Sequence, residues 1–67
     1  MASETFQFVS SNVDNGDYDA ESKTLTVTFV RTGEPYTFEG VPLETWERFK
    51  QASSPGRFFA QEIKGRF

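Results

Sequence analysis

Residues 24–30 read Thr24-Leu25-Thr26-Val27-Thr28-Phe29-Val30, and this stretch carries the clearest structural signal in the chain. Polar and apolar side chains alternate along it, and most of its residues are β-branched. A period of two combined with β-branched residues is typical of a strand with one buried face. We therefore expect Leu25, Val27 and Phe29 to point into a core.

Two further strands are predicted on either side of this one. Upstream, residues 12–18 read as an earlier strand, which Gly16 interrupts with a bulge, and the polar residues 19–23 have the composition of a hairpin turn. Downstream, residues 31–34 predict a second turn, and residues 35–38 predict a third strand that begins with a proline. The pattern is that of a three-stranded antiparallel β-meander.

The period changes after this third strand. Proline is favoured at the first helical position, and Pro42 is followed by apolar residues at three-residue spacing, namely Leu43, Trp46, Phe49 and Ala52. This spacing predicts a helix over 42–52. Ser54-Pro55 then predicts the start of a second helix, which Gly65 ends. The sequence thus predicts an α+β fold with two short helices packed on one face of the sheet.

The composition limits the classes of protein to consider. A chain of 67 residues with 8 Phe among its 11 aromatic residues is one domain, and it holds no Cys and no His. Thiol chemistry, serine–histidine triads and histidine–zinc sites are excluded, so we expect a non-enzymatic protein without cofactor or metal. Residues 1–7 are predicted to be a loosely ordered N-terminus and residues 8–67 the domain. No export signal or long apolar run is recognisable, so we expect a cytoplasmic protein without membrane contact.

The net charge of −3 is unevenly distributed along the chain. Residues 1–45 carry eight acidic and two basic side chains, whereas residues 46–67 carry two acidic and five basic ones. The predicted sheet is therefore acidic and the predicted helical part basic. Two faces of opposite charge are suited to different partners.

The basic part contains the first candidate contact face. It comprises Ser54, Gly56, Arg57, Lys64 and Arg66. A helix start with free N–H groups, a serine hydroxyl and an arginine is suited to binding an anion, and basic residues beside phenylalanines can also bind a nucleic-acid strand. Alternatively these residues only cap a helix and pair with neighbours, which is the commoner role of such residues.

The acidic part contains the second candidate contact face, formed by Asp14, Asp17, Asp19 and Glu21. The spacing superficially resembles a calcium loop, but Thr28 stands at the twelfth position counted from Asp17, where a bidentate glutamate is required. Solvation of a turn and protection of a strand edge explain the acids more simply. A further reading is mimicry of phosphate charge, by which the acids would occupy a basic groove on another protein.

Three large aromatic residues are interpreted as packing residues. Trp46 shares a helix face with Phe49, so we expect it to anchor the core. Tyr18 and Tyr36 are expected on the packed face of the sheet.

The order of several motifs resembles that of the KTSC domain. The matching stretches are Ser10-Ser11-Asn12-Val13, Gly16-Asp17-Tyr18-Asp19, Ser22-Lys23-Thr24-Leu25-Thr26-Val27-Thr28-Phe29, Tyr36-Thr37-Phe38-Glu39-Gly40-Val41-Pro42, Ser54-Pro55-Gly56-Arg57-Phe58-Phe59 and Ile63-Lys64-Gly65-Arg66-Phe67. The resemblance covers residues 9–67 and departs at residues 31–35, where the turn is longer than the short glycine turn of the pattern. The family is named for its occurrence in some lysyl-tRNA synthetases and also includes free-standing bacterial and phage proteins.

The resemblance implies a fold, but no activity or set of binding residues. We expect a non-enzymatic interaction module, a monomer or small homo-oligomer, that contacts a protein or, with less support, a nucleic acid. Its basic face around Arg57, Lys64 and Arg66 is the favoured contact. The alternative is an inhibitor from a phage or prophage, of the anti-defence or anti-CRISPR type, that uses its acidic face to block a nucleic-acid-binding site on a host complex.

Overall fold

The fold is an antiparallel sheet covered on one face by helices, seen in a computed structural model that describes residues 3–67. Its elements are β1 (Ser3–Gln7), β2 (Val13–Asp19), β3 (Thr24–Phe29), β4 (Pro35–Phe38), α1 (Leu43–Gln51) and α2 (Pro55–Phe58), and α2 continues without a break into a π-helical segment (Phe59–Ile63). We call α2 and the π-helical segment together the C-terminal helix. The predicted α+β class, with an antiparallel sheet followed by two helices, is confirmed. Within residues 3–67 no helix has the length and apolar character that a membrane crossing requires.

The prediction of three strands is wrong, because the sheet has four in the order β1-β2-β3-β4. The added strand, Ser3–Gln7, pairs along its whole length with residues 15–19 of β2. It occupies most of the segment 1–7 that the sequence analysis set apart from the domain. Met1 and Ala2 lie outside the described residues.

The register assigns each strand residue to one of two faces, because directly paired residues share a face. One row across the sheet consists of Phe6, Gly16, Val27 and Tyr36, and the next row on that face of Glu4, Tyr18, Leu25 and Phe38. The helices cover this inner face. The opposite, outer face presents the row Thr5, Asp17, Thr26 and Thr37 to solvent. The inward direction predicted for Leu25, Val27 and Phe29 is confirmed.

Gly16 has a different role from the predicted bulge. It pairs regularly with Phe6 and Val27, and the register shift lies between Val13 and Asn15. The indole of Trp46 lies directly over Gly16, because a Cβ atom built at this position would be only 3.0 Å from the indole Cζ3. Glycine is therefore needed here so that the tryptophan can approach the strand.

Trp46 is the centre of the core, as predicted. Its side chain is fully buried and stacks on Tyr18, with the ring centroids 5.5 Å apart and the planes 13° from parallel. Phe49 is also fully buried on the same helix face. Leu43 departs from the predicted pattern, since it is 52% exposed at the start of α1 while Val41, just before the helix, is completely buried.

One charged residue belongs to the inner face and connects β1 to α1. The carboxylate of Glu4 accepts a hydrogen bond from the Trp46 indole N–H at 2.9 Å and one from the Lys50 ammonium at 2.8 Å. The bond from Lys50, followed by that from Trp46, holds the pKa of Glu4 below its usual value. The same ion pair raises the pKa of Lys50. Glu4 therefore satisfies the buried indole and fixes the edge strand to the helix.

Candidate functional site

An open groove of about 600 Å³ separates the end of the sheet from the C-terminal helix. Its lining comes from three segments that are distant in sequence: the end of β3 with the following turn and β4, the C-terminal helix, and the loop before β2. The lining residues are Asn12, Phe29, Arg31, Thr32, Tyr36, Phe38, Gly56, Phe59, Ala60 and Lys64. We refer to this feature as the groove.

Aromatic side chains form the apolar part of the groove. Phe59 packs edge to face against Phe29, with centroids 5.0 Å apart, and against Phe38, with centroids 5.5 Å apart. Tyr36 makes a similar edge contact with Phe29 at 5.5 Å. Tyr36 lies on the inner face as predicted, but it remains 45% exposed because no helix covers this corner of the sheet. The groove therefore offers a partner a tyrosine ring above a firmly packed aromatic base.

Two cations, Arg31 and Lys64, lie in the groove. Within residues 3–67 neither forms an ion pair with a carboxylate, and no acidic residue lines the groove. Arg31 comes from the turn between β3 and β4, and Lys64 directly follows the π-helical segment. The local field is therefore positive although the chain as a whole is acidic.

The wall on the side of the C-terminal helix has an unusual backbone. The Lys64 N–H donates to the Phe59 carbonyl, five residues earlier, at 2.8 Å, which is the bond of a π-helix. Such wide turns are rare and are found frequently at functional sites. In this chain the segment carries Phe59 and Ala60 into the groove and is followed by Lys64 at its end.

Gly56 is a position of close approach on the same helix. A Cβ atom at this position would lie 2.7 Å from the Asn12 side-chain nitrogen, so only glycine allows the amide to lie against the helix. Both residues line the groove. The amide of Asn12 thus adds a polar group that is able to donate and accept hydrogen bonds.

The groove brings together part of the predicted basic face. Lys64 and Gly56 line it, whereas Ser54, Arg57 and Arg66 do not. The Ser54 side chain makes no capping hydrogen bond at the start of the C-terminal helix, and the anion site predicted there stays a prediction. Sequence reasoning missed Arg31, Tyr36 and Asn12, although the motifs containing Tyr36 and Asn12 were part of the family pattern.

The residues of the predicted acidic face are spread along β2 and the turn after it. Asp17 and Asp19 share the outer face, with Asp17 accepting a hydrogen bond from the Thr5 hydroxyl and Asp19 from the Glu21 N–H at 3.0 Å. Asp14 lies at the register shift and accepts a bond from the Gln7 amide at 2.6 Å. Among the residues that the structure describes, no group of three potential metal ligands converges.

Comparison with known proteins identifies the class of this small α+β domain. The model of the KTSC domain family matches residues 9–67. A crystal structure of a KTSC domain protein from Yersinia pestis is similar to this chain, with a TM-score of 0.89 and 35% sequence identity over 98% of this chain and 92% of that one. No match was found among curated proteins.

The chain therefore belongs to the KTSC domain family. Both the family match and the solved structure support this, and the match confirms the resemblance seen in the sequence motifs. The Yersinia protein shares the fold over almost its whole length. Membership of the family establishes the fold but does not establish a function.

Proposed function

We propose that this KTSC domain is a non-enzymatic interaction module that binds a protein partner through the groove. The observation that carries the proposal is the combination, in one concave surface, of an exposed tyrosine, an aromatic base and two cations that form no ion pair within residues 3–67. Tyrosine and arginine are enriched among the residues that contribute most to protein–protein binding, especially where they surround an apolar pocket. Tyr36 and Arg31 are the two such residues of the groove.

The chemistry of the groove favours binding over catalysis. Its ionisable side chains are Arg31, Tyr36 and Lys64, and it contains no carboxylate, imidazole or thiol. General acid–base catalysis is most efficient with a group whose pKa lies near the working pH. Positive charge beside aromatic surface is, by contrast, a common basis of recognition.

A second candidate function uses the outer face of the sheet. Asp17 and Asp19 project from β2 on this face, two residues and hence about 6.6 Å apart, beside a row of threonine hydroxyls. An acidic and hydroxyl-rich surface suits a basic nucleic-acid-binding groove on another protein. This arrangement favours the alternative of an inhibitor encoded by a phage or prophage, of the anti-defence or anti-CRISPR type.

Capture of a partner by matched variants distinguishes the two functions. The chain is immobilised and exposed to nuclease-treated lysate of the organism that encodes it. One variant changes the groove, Tyr36→Ala with Lys64→Glu, and the other changes the outer face, Asp17→Lys with Asp19→Lys. Circular dichroism checks that each variant is folded.

The proposed function predicts that a partner bound by the native chain is lost with the groove variant and kept with the outer-face variant. The opposite result supports the inhibitor. A partner that both variants retain contradicts both functions, because neither surface would then contribute to binding.

A further inference from the structure

The apolar and cationic side chains of the groove indicate what kind of protein segment it binds, an inference that rests on the proposed function. We propose that the groove binds an extended segment of a partner protein in which an aromatic or large aliphatic side chain stands beside acidic side chains. The apolar side chain would lie on Tyr36 and the phenylalanine base. The acidic side chains would pair with Arg31 and Lys64.

The apolar half of the proposal follows from burial. Phe59 is 8% exposed and packs against Phe29 and Phe38, so the base of the groove is already rigid before a partner arrives. Tyr36 above it is 45% exposed and makes no hydrogen bond through its hydroxyl to any residue from 3 to 67. A rigid apolar base with one accessible ring accepts a side chain at low entropic cost.

The acidic half follows from charge complementarity. Arg31 and Lys64 have no carboxylate partner among residues 3–67, and the only ion pairs found there join Lys50 to Glu4 and Glu47. Glu34 and Glu39 flank β4 in sequence but do not line the groove. An acidic side chain of the partner is therefore attracted to the two cations of the groove.

The shape of the surroundings favours an extended chain. β4 is an edge strand of the sheet, so one side of its backbone has no strand partner among the residues that the structure describes. Tyr36 and Phe38 of this strand point into the groove, so an extended segment lying along β4 places every second side chain beside them.

The geometry of the rings disfavours a nucleic acid. Bases bind to aromatic residues by stacking on exposed ring faces. The contacts of Phe59 with Phe29 and Phe38 have interplanar angles of 78° and 68°, so these rings do not form a set of parallel faces. The acidic outer face would also repel a phosphate backbone that extends beyond the groove.

Titration with short peptides, followed by NMR of the isotopically labelled 67-residue chain, tests this proposal. The probe is the peptide Asp-Glu-Phe-Asp-Glu. The matched controls are Asp-Glu-Ala-Asp-Glu, Lys-Arg-Phe-Lys-Arg and an RNA of twelve uridines. We expect the probe to shift the amide signals of Tyr36, Ala60 and Lys64 and to slow hydrogen exchange of the β4 amides.

Two charge-reversal variants with the same change in net charge complete the test. Arg31→Glu with Lys64→Glu should weaken binding of the probe about tenfold, which corresponds to about 1.4 kcal/mol. Arg57→Glu with Arg66→Glu changes exposed residues that do not line the groove and should weaken binding of the probe clearly less, because charges that act across solvent interact more weakly than charges in direct contact.

Each of the other outcomes overturns the proposal. If the alanine peptide binds as tightly as the probe, the phenylalanine side chain does not contribute to binding. If both charge-reversal variants weaken binding of the probe equally, the whole basic region attracts the peptide and the groove has no special role. Stronger binding of the RNA identifies a nucleic-acid partner. If no peptide binds while capture from lysate still depends on the groove, the acidic–aromatic partner is excluded and the proposed function survives; if capture also fails to depend on the groove, both are excluded.

Discussion

Replacing Gly16 by alanine tests the packing that holds Trp46 over the sheet. The added Cβ would lie 3.0 Å from Cζ3 and 3.2 Å from Cη2 of the indole, and 3.2 Å from Cε2 of Phe8. Carbon atoms prefer a separation of about 3.5–4.0 Å, so the indole must move. It is fully buried and stacked on Tyr18, so movement disturbs the whole core. Overpacking of this kind costs about 1–3 kcal/mol.

The sign of the effect makes the test decisive. Glycine to alanine without a steric conflict stabilises a protein by about 0.4–1 kcal/mol, because the unfolded chain loses freedom. We expect Gly16→Ala instead to lower the free energy of unfolding, measured by urea denaturation and circular dichroism, with a fall in Tm of about 4–8 °C per kcal/mol. In the background Trp46→Phe the smaller ring should reduce the cost of the same change. An alanine variant as stable as the native chain would refute this account of Gly16.

The remaining predictions concern polar contacts of three side chains, those of Tyr18, Glu4 and Lys50. Tyr18→Phe removes the hydroxyl that donates to the Val41 carbonyl at 2.6 Å and should destabilise the fold by about 1–3 kcal/mol in urea denaturation, because the carbonyl is left unsatisfied; a neutral result would show that water replaces the hydroxyl. The lowered pKa of Glu4 means that its contribution to stability is complete above the ordinary glutamate value of about 4.3 and is lost as the pH falls through the folded-state pKa. Glu4→Gln should therefore flatten the acid side of the stability profile, and an unchanged acid midpoint would exclude this role. Because the pKa of Lys50 is raised, its contribution to the free energy of unfolding is present below the ordinary lysine value of about 10.4 and is lost as the pH rises through the folded-state pKa. Lys50→Met should therefore reduce the loss of stability at high pH, measured by thermal unfolding.

Much of the fold can be predicted from patterns within short segments of the sequence. β3 is recognisable because Leu25, Val27 and Phe29 alternate with threonines, and α1 because Trp46 and Phe49 recur at helical spacing. Both signals arise from burial of one face, which a single segment displays in its own sequence. These elements were predicted within about one or two residues of their observed ends.

β1 escaped prediction because its inner face carries a charge. Glu4 occupies a position that faces the helices, where an acidic residue is read from sequence as exposed. Its partners, Trp46 and Lys50, are more than 40 residues away, so no sequence pattern near Glu4 predicts these hydrogen bonds. An inner-face glutamate is understandable only once β1 and α1 are known to lie together.

The groove was not predicted from the sequence, because its residues are also distant along the chain. Lys64 was recognised from its basic neighbourhood, whereas Arg31 stood in a turn and Tyr36 was interpreted as a packing residue. Only the tertiary fold brings residues 31, 36 and 64 to one concave surface. The contact predicted at the helix start, with Ser54 and Arg57, stays a prediction, since these two residues lie outside the groove.

Photo-crosslinking shows whether the groove is the surface that contacts the partner. Benzoylphenylalanine is introduced at Tyr36 in the groove or, as a control, at Thr26 on the outer face, and the chain is irradiated in the cells that encode it. Contact through the groove predicts a specific protein adduct from position 36 and none from position 26. An adduct that forms only from position 26 would contradict it and would move the contact to the acidic outer face.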